Sequence, residues 1–149
     1  MTTSSEKHGP ARVVRAEVTE APISVTELAD AVQDAAAGAV VTFEGVVRNH
    51  DADRGVSGIG YSCHPTAGQI VKEIARDVAE RRRVRALGVV HRVGDLAVGE
   101  AALAVAVSSD HRAEAFATCG EIVEEVKKRL PVWKRQTFSD GTSQWSNLA

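Results

Sequence analysis

The chain has 149 residues, of which 44% are hydrophobic and 26% charged, a balance typical of folded globular proteins rather than disordered or fibrous ones. Its formal net charge of −2 gives no global basic field for nucleic acid. No segment reaches the roughly 20 apolar residues of a membrane-spanning helix, and the polar first ten residues do not resemble a signal peptide. We therefore expect a cytoplasmic protein that binds neither nucleic acid nor membranes.

Alternating and β-branched segments predict several strands. The predicted strands cover residues 11–18, 39–48, 59–63, 86–93, 101–108, 134–138 and 143–145. Gly45 favours a bulge in the second strand, residues 49–57 read as an exposed mobile loop, and residues 94–99 connect two strands. Asp140-Gly141 predicts a hairpin with a type I′ turn.

Three helices are predicted between these strands. They run from Ser24 to about Gly38, from Thr66 to about Arg82 and from about Asp110 to Leu130. Ser24 with Glu27, and Thr66 with Gln69, have capping-box spacing, and Pro131 ends the longest helix. We predict an α+β or mixed α/β fold, with one domain over residues 11–149 after a flexible segment, residues 1–10.

The end of the longest predicted helix carries two lysines that are not equivalent. At about 100° per residue, Lys127 falls at the margin of the apolar face, whereas Lys128 points away from it. A chain reversal at Pro131 would bring Lys134 near Lys127. Two ammonium groups in one partly apolar pocket lower each other's pKa, which makes a neutral amine available as nucleophile or base. The alternative is two ordinary surface charges.

Two other segments carry basic residues suited to anions. His111 and Arg112 lie where a strand ends and a helix begins, and free backbone N–H groups at a helix start favour a phosphate. The alternative is an exposed first turn in which Ser109 or Asp110 serves only as the N-cap. Arg48, at the end of its strand, is the third basic candidate.

The remaining polar residues favour structural interpretations. The arginines at positions 81–83 suit the solvated end of a helix, and His91 with Arg92 suits a half-exposed pair on a strand. Cys119 lies on an apolar helix face, and Cys63 has no further ligands at zinc-site spacing. The chain lacks the GxGxxG, Walker A, GxSxG and HExxH motifs. We therefore expect no metal and no cofactor.

Four ordered segments resemble the large, catalytic subunit of molybdopterin synthase. They are residues 42–50 (TFEGVVRNH), 91–94 (HRVG), 108–116 (SSDHRAEAF) and 127–134 (KKRLPVWK). The resemblance extends from about Gly38 to Trp145, and the ending Pro-x-Trp-Lys is its most specific part.

This resemblance implies an α/β hammerhead fold with a small antiparallel β subdomain. It also implies a homodimer with a small ubiquitin-like subunit at each end, whose C-terminal Gly-Gly thiocarboxylate supplies sulfur to cyclic pyranopterin monophosphate. By motif matching, Lys127 and Lys134 take the positions of the family's two key lysines. Arg48, His111 and Arg112 match residues of its anion pocket, some of them contributed across the dimer, and Phe43 matches a substrate-binding position.

The chain departs from the family at residues 61–65, which lack acidic and aromatic residues common before Pro65. It also departs after Trp145, where many relatives continue with charged residues, sometimes including an arginine near the pocket, and this chain has Ser146 to Ala149; Arg135 is a candidate substitute for that arginine. Two alternatives therefore stay open: a non-catalytic module that binds RNA or another anion, and a scaffold that has lost catalysis.

Overall fold

The computed structural model describes residues 9–148. The predicted flexible segment, residues 1–10, lies mostly outside this range, and only its exposed Gly9 and Pro10 are seen before the first strand. Over the described part of the chain, no helix combines the length and apolar character needed to cross a membrane.

The described residues form nine strands and three helices. The strands are β1 (Arg12–Thr19), β2 (Ala39–Val46), β3 (His50–Asp51), β4 (Arg54–Cys63), β5 (Ala86–Arg92), β6 (Gly94–Ala97), β7 (Ala101–Ser109), β8 (Val132–Phe138) and β9 (Ser143–Asn147). The helices are α1 (Val25–Ala31), α2 (Ala67–Arg81) and α3 (Arg112–Arg129). The predicted α+β class is confirmed.

A four-stranded sheet in the order β1-β5-β7-β2 carries the helices on both faces. Strand β1 pairs with β5 in parallel, and the other pairs are antiparallel. Because side chains alternate along a strand, Leu87 and Val89 point to the face covered by α2 and α3, whereas Ala86 and Val90 pack with Leu28 of α1. The central strands are buried on both sides, which explains their continuous apolar sequence.

The second sheet is antiparallel, in the order β3-β4-β8-β9, with β6 pairing to β4. It has a small core of its own, formed by Val47, Val56, Ile59, Leu96, Ala102 and Phe138. Since β8 follows α3 directly and β4 precedes α2, this sheet lies at the ends of both long helices.

Two loop predictions are wrong. Residues 49–57 form a tight hairpin, β3 with the start of β4, in which Ala52 has φ of 53° at the turn. Residues 94–99 contain β6, which pairs with Gly58–Tyr61 of β4. Strand β6 is stabilised by a partner distant in sequence, which local periodicity does not reveal, and β3 is a two-residue strand too short for a periodic pattern to identify.

Three local details also differ from the prediction. Helix α1 ends at Ala31, not near Gly38, and the following residues turn around Asp34, whose carboxylate accepts from the N–H of Ala36. Ser24 caps α1 as predicted, but Thr66 makes no side-chain cap on α2. The β8–β9 hairpin is confirmed; its turn is not type I′, because only Gly141 of the Asp140-Gly141 pair has positive φ, at 89°.

Candidate functional site

A cavity of about 280 Å³ lies between the two sheets, beside the C-terminal end of α3. This volume is near the lower end of the roughly 300–1,000 Å³ typical of ligand pockets. Its polar and charged lining residues are Arg48, Asp51, Tyr61, His91, Lys127, Lys134 and Gln136. Its apolar wall includes Phe43, Ile59, Leu103, Val126 and Leu148. The cavity therefore combines an apolar wall with several fixed charges.

The two predicted lysines meet in this cavity. Lys127 stands in the last turn of α3, and the backbone turns extended at Leu130 before β8 begins at Val132. Lys134 then lies opposite Tyr61 of β4, on the side of β8 that faces the cavity. Lys128 does not line the cavity. The prediction that Lys127 and Lys134 share one pocket is confirmed in geometry, and their chemical roles stay a proposal.

The environment of Lys134 disfavours its charged form. Burial lowers the pKa of the Lys134 ammonium, the positive charges of Lys127 and Arg48 lower it further, and the carboxylate of Asp51 raises it. Within residues 9–148, neither lysine ammonium makes a hydrogen bond or an ion pair. Both ammonium groups are therefore available to an incoming anion.

Arg48 and Asp51 form the outer edge of the cavity. The Arg48 guanidinium lies 3.6 Å from the Asp51 carboxylate, and both side chains are substantially exposed. The other oxygen of Asp51 accepts a hydrogen bond of 3.0 Å from the side-chain amide of Gln136. Such an exposed ion pair contributes little to stability. It leaves Arg48 able to turn toward a ligand.

Phe43 belongs to the apolar wall of the cavity, and its part in substrate binding stays a prediction. The strand irregularity predicted at Gly45 is present, because the β2–β7 register shifts between Gly45 and Val46. A Cβ added at Gly45 would lie 3.3 Å from the Phe43 ring. The glycine thus lets the ring lie against the backbone of its own strand.

His111 and Arg112 lie at the opposite end of α3 from the cavity. His111 is the N-cap residue, with no side-chain capping bond, and Arg112 is the first helical residue; both are exposed. Sixteen residues of helix separate His111 from Lys127, about 24 Å along the axis. A single copy of the chain cannot bring these groups together. Neither Ser109 nor Asp110 is the N-cap.

Four polar residues of the cavity were missed in the sequence: Asp51, Tyr61, His91 and Gln136. His91 was interpreted as half-exposed, which is wrong, since only 2% of it is accessible. Tyr61 and Asp51 fell in segments read as a family departure and a mobile loop. Their positions in the cavity depend on how the two sheets pack together, and the local sequence pattern around these residues does not predict that packing.

The other candidates lie outside the cavity. Arg81 and Arg82 both pair with Glu121 on α3, as expected for a helix-end surface feature. Cys119 is buried, which raises the pKa of its thiol to about 11, and Cys63 is exposed. Arg135 lies over the Trp145 ring and not in the cavity. Among the described residues, no three His, Cys, Asp or Glu side chains are grouped to hold a metal.

Comparison with known proteins identifies the family. The family model described as MoaE protein matches residues 18–129, which is most of the chain. The chain belongs to the MoaE family. The matched span includes β2, β5 and α3, and so supplies the wall of the cavity and Lys127.

Individual relatives are similar in sequence to this chain over most of their own length. The molybdopterin synthase catalytic subunit of Aspergillus clavatus is 36% identical over 137 residues, covering 91% of this chain and 69% of that one. The subunit of the same name from Nostoc sp. is 35% identical, covering 88% and 81%. A solved structure, molybdopterin synthase from Staphylococcus aureus, superposes with a TM-score of 0.82 at 28% identity, covering 89% of this chain and 96% of that one.

Proposed function

We propose that this chain is the catalytic subunit of a molybdopterin synthase. In this reaction, sulfur passes from the C-terminal thiocarboxylate of a small ubiquitin-like subunit to cyclic pyranopterin monophosphate, and two transfers complete the dithiolene. We further propose that the protein acts in the cytoplasm. The observation that carries the proposal is the convergence of Lys127 and Lys134 in one cavity, in a chain whose relatives are molybdopterin synthase catalytic subunits.

The charges of the cavity suit both reactants. A phosphorylated substrate and a carboxylate-ended donor are anions, and their attack and release develop further negative charge on oxygen or sulfur. Fixed cations in a partly buried site stabilise such charge more strongly than they would in water. Lys127, Lys134 and Arg48 provide three such cations around a cavity that has one apolar wall.

The two lysines are assigned different roles by their surroundings. Lys127 is the more exposed and stands at the helix end, where it can contact the thiocarboxylate and the intermediate attached to it. Lys134 is half-buried, and its lowered pKa suits a group that binds substrate and exchanges a proton. The neutral amine accepts a proton, and the ammonium returns it to a leaving group.

A second copy of the chain would complete the anion pocket. His111 and Arg112 cannot reach the cavity of their own chain, but they are exposed and available to a neighbouring copy. In a twofold-symmetric dimer, any contact made by one copy is repeated by the other. We propose that each site takes its lysines from one copy and His111 with Arg112 from the other.

The test of the function is dithiolene formation from cyclic pyranopterin monophosphate by the purified protein and a thiocarboxylated small subunit. The wild type should form product, and Lys127→Ala should be slower by roughly 10²–10³-fold, the loss typical when one charge-stabilising group is removed. Lys128→Ala is the matched control, since it removes an adjacent lysine of the same helix outside the cavity. A stable complex with the small subunit but no product from the wild type would instead favour a scaffold that has lost catalysis.

Sharing of the site between copies has its own test. Lys127→Ala and Arg112→Ala should each be nearly inactive as pure dimers. After subunit exchange, half of the dimers are mixed, and one of the two sites in each mixed dimer is intact, so about a quarter of the wild-type activity should return. No recovery, despite exchange shown by mass spectrometry, would place all the groups of a site in one chain.

A further inference from the structure

His91 is a buried polar side chain that the proposed reaction leaves without a role. It ends a run of buried apolar residues in β5, and β1 and β7 flank it on either side. Only 2% of the residue is accessible, yet it lines the cavity that contains Lys127 and Lys134. Buried polar groups are nearly always hydrogen-bonded, so the partners of its two ring nitrogens define what it can do.

One ring nitrogen is held by the backbone. Nδ1 of His91 lies 2.7 Å from the carbonyl oxygen of Arg92. A carbonyl oxygen can only accept, so Nδ1 carries the hydrogen and donates it. In a neutral imidazole the lone pair is then on Nε2. The edge-on packing of the ring against Tyr61, with centroids 5.3 Å apart and planes at 70°, fixes the direction of that lone pair.

The other ring nitrogen faces the cavity. Within residues 9–148, Nε2 of His91 has no hydrogen-bond partner. Among the described residues, Thr118 Oγ1 is the one fully buried side-chain nitrogen or oxygen atom that lacks a hydrogen-bond partner. Nε2 of His91 also lacks a partner, but it is not fully buried. Nε2 therefore retains accessible surface. Because the residue is otherwise enclosed and lines the cavity, that surface opens into it.

The surroundings keep this imidazole neutral. Burial lowers the pKa of His91 to about 4, and the nearby positive charge of Lys127 lowers it further, against the opposing effect of the Arg92 carbonyl. At neutral pH, Nε2 is thus a hydrogen-bond acceptor in a cavity whose lysine and arginine side chains donate while they are charged. The other acceptors that line the cavity are the Asp51 carboxylate, which Arg48 and Gln136 contact, the side-chain oxygen of Gln136 and the hydroxyl of Tyr61.

We propose that His91 is a substrate-binding residue whose Nε2 accepts a hydrogen bond from an N–H group of the heterocyclic ring of the substrate. The cations bind the anionic end of that molecule, and His91 recognises the donor side of its ring. A ligand that offers only acceptors leaves Nε2 unpaired and is rejected. This inference rests on the proposed function, because the substrate class comes from it.

Two substitutions test whether His91 accepts a hydrogen bond from the substrate through Nε2 or only supports the structure. His91→Asn keeps an amide at the position of Nδ1, where it can still donate to Arg92, and removes the acceptor in the cavity. His91→Gln keeps an oxygen near the position of Nε2. Losing one hydrogen bond to a buried donor should raise the KM for cyclic pyranopterin monophosphate by roughly 5- to 150-fold in His91→Asn. The kcat should change little, and His91→Gln should recover most of the loss.

The opposite results would overturn the inference. An unchanged KM in His91→Asn, a loss confined to kcat, or equal defects in the two variants would each leave His91 with a packing role only. Thermal unfolding of both variants checks that they fold.

A second measurement needs neither substitution nor sulfur donor. In wild-type protein labelled with ¹⁵N-histidine, the Nε2 resonance of His91 should move when cyclic pyranopterin monophosphate is added, while its Nδ1 resonance should stay. A stationary Nε2 signal would refute the inference even if a variant failed to fold. Dithiolene formation by the same wild-type preparation tests the proposed function separately, so the two failures are distinguishable.

Discussion

Acid should destabilise the wild-type protein more than a His91→Asn variant. His91 is buried as a neutral imidazole with a folded-state pKa of about 4, against an ordinary value of 6.5. At pH values between these two pKa values, His91 binds a proton in the unfolded chain but not in the folded chain. The resulting stability is fully present above about pH 6.5 and is lost as the pH falls toward about 4.

The size of this effect follows from the two pKa values. One pKa unit corresponds to about 1.4 kcal/mol. Between about pH 7 and about pH 4.5, the difference in proton binding at His91 costs the folded state about 2.5 kcal/mol. Carboxylates with lowered pKa, such as those of Glu17 and Asp140, add to the acid destabilisation of both proteins and cancel in the comparison.

Urea denaturation at the two pH values measures this difference. The free energy of unfolding should fall by about 2.5 kcal/mol more in the wild type than in His91→Asn. Any constant cost of the substitution drops out, because each protein is compared with itself. Equal losses in the two proteins would show that His91 titrates normally in the folded state, and the argument for a buried neutral acceptor would fail.

Three further predictions concern stability, each checked by urea denaturation. Gly38→Ala should lower the free energy of unfolding by about 1–3 kcal/mol, because the added Cβ would lie 2.8 Å from the backbone oxygen of Asp110. A smaller loss would mean that the backbone shifts easily. Gly120→Ala should add about 0.5–1 kcal/mol, since Gly120 lies inside α3 with open space around its Cβ position; a destabilised variant would contradict this. Ser108→Ala should cost about 1–3 kcal/mol, because it removes the 2.5 Å hydrogen bond to the Val32 carbonyl; no loss would imply a replacement partner.

Local patterns in the sequence predicted most elements of the fold. The helical spacing of apolar residues identified α3, and Asp140-Gly141 identified the last hairpin. The wheel position of Lys127 and the proline before β8 also indicated that Lys127 and Lys134 could meet, although two ordinary surface charges fitted the same spacing. In each case the deciding interactions lie within a few residues of one another, where period and turn chemistry are informative.

Elements that depend on partners distant in the sequence could not be predicted from local patterns. Strand β6 exists because it pairs with β4, which lies far earlier in the chain, at Gly58↔Ala97 and Ile59↔Leu96. Helix α1 ended early although an alanine-rich segment follows it, because short alanine side chains bury little surface and Asp34 turns the chain. His91 became a cavity residue only through the meeting of two sheets.

We propose that one cavity, with the half-buried Lys134 among its cations, performs the sulfur transfer. The most direct test of this claim is the single-turnover rate of dithiolene formation by Lys134→Ala, beside Lys128→Ala, with saturating thiocarboxylated small subunit. We predict a loss of at least about 100-fold for Lys134→Ala and a rate close to wild type for Lys128→Ala. A folded Lys134→Ala protein that forms dithiolene at the wild-type rate would contradict the claim and place the chemistry elsewhere.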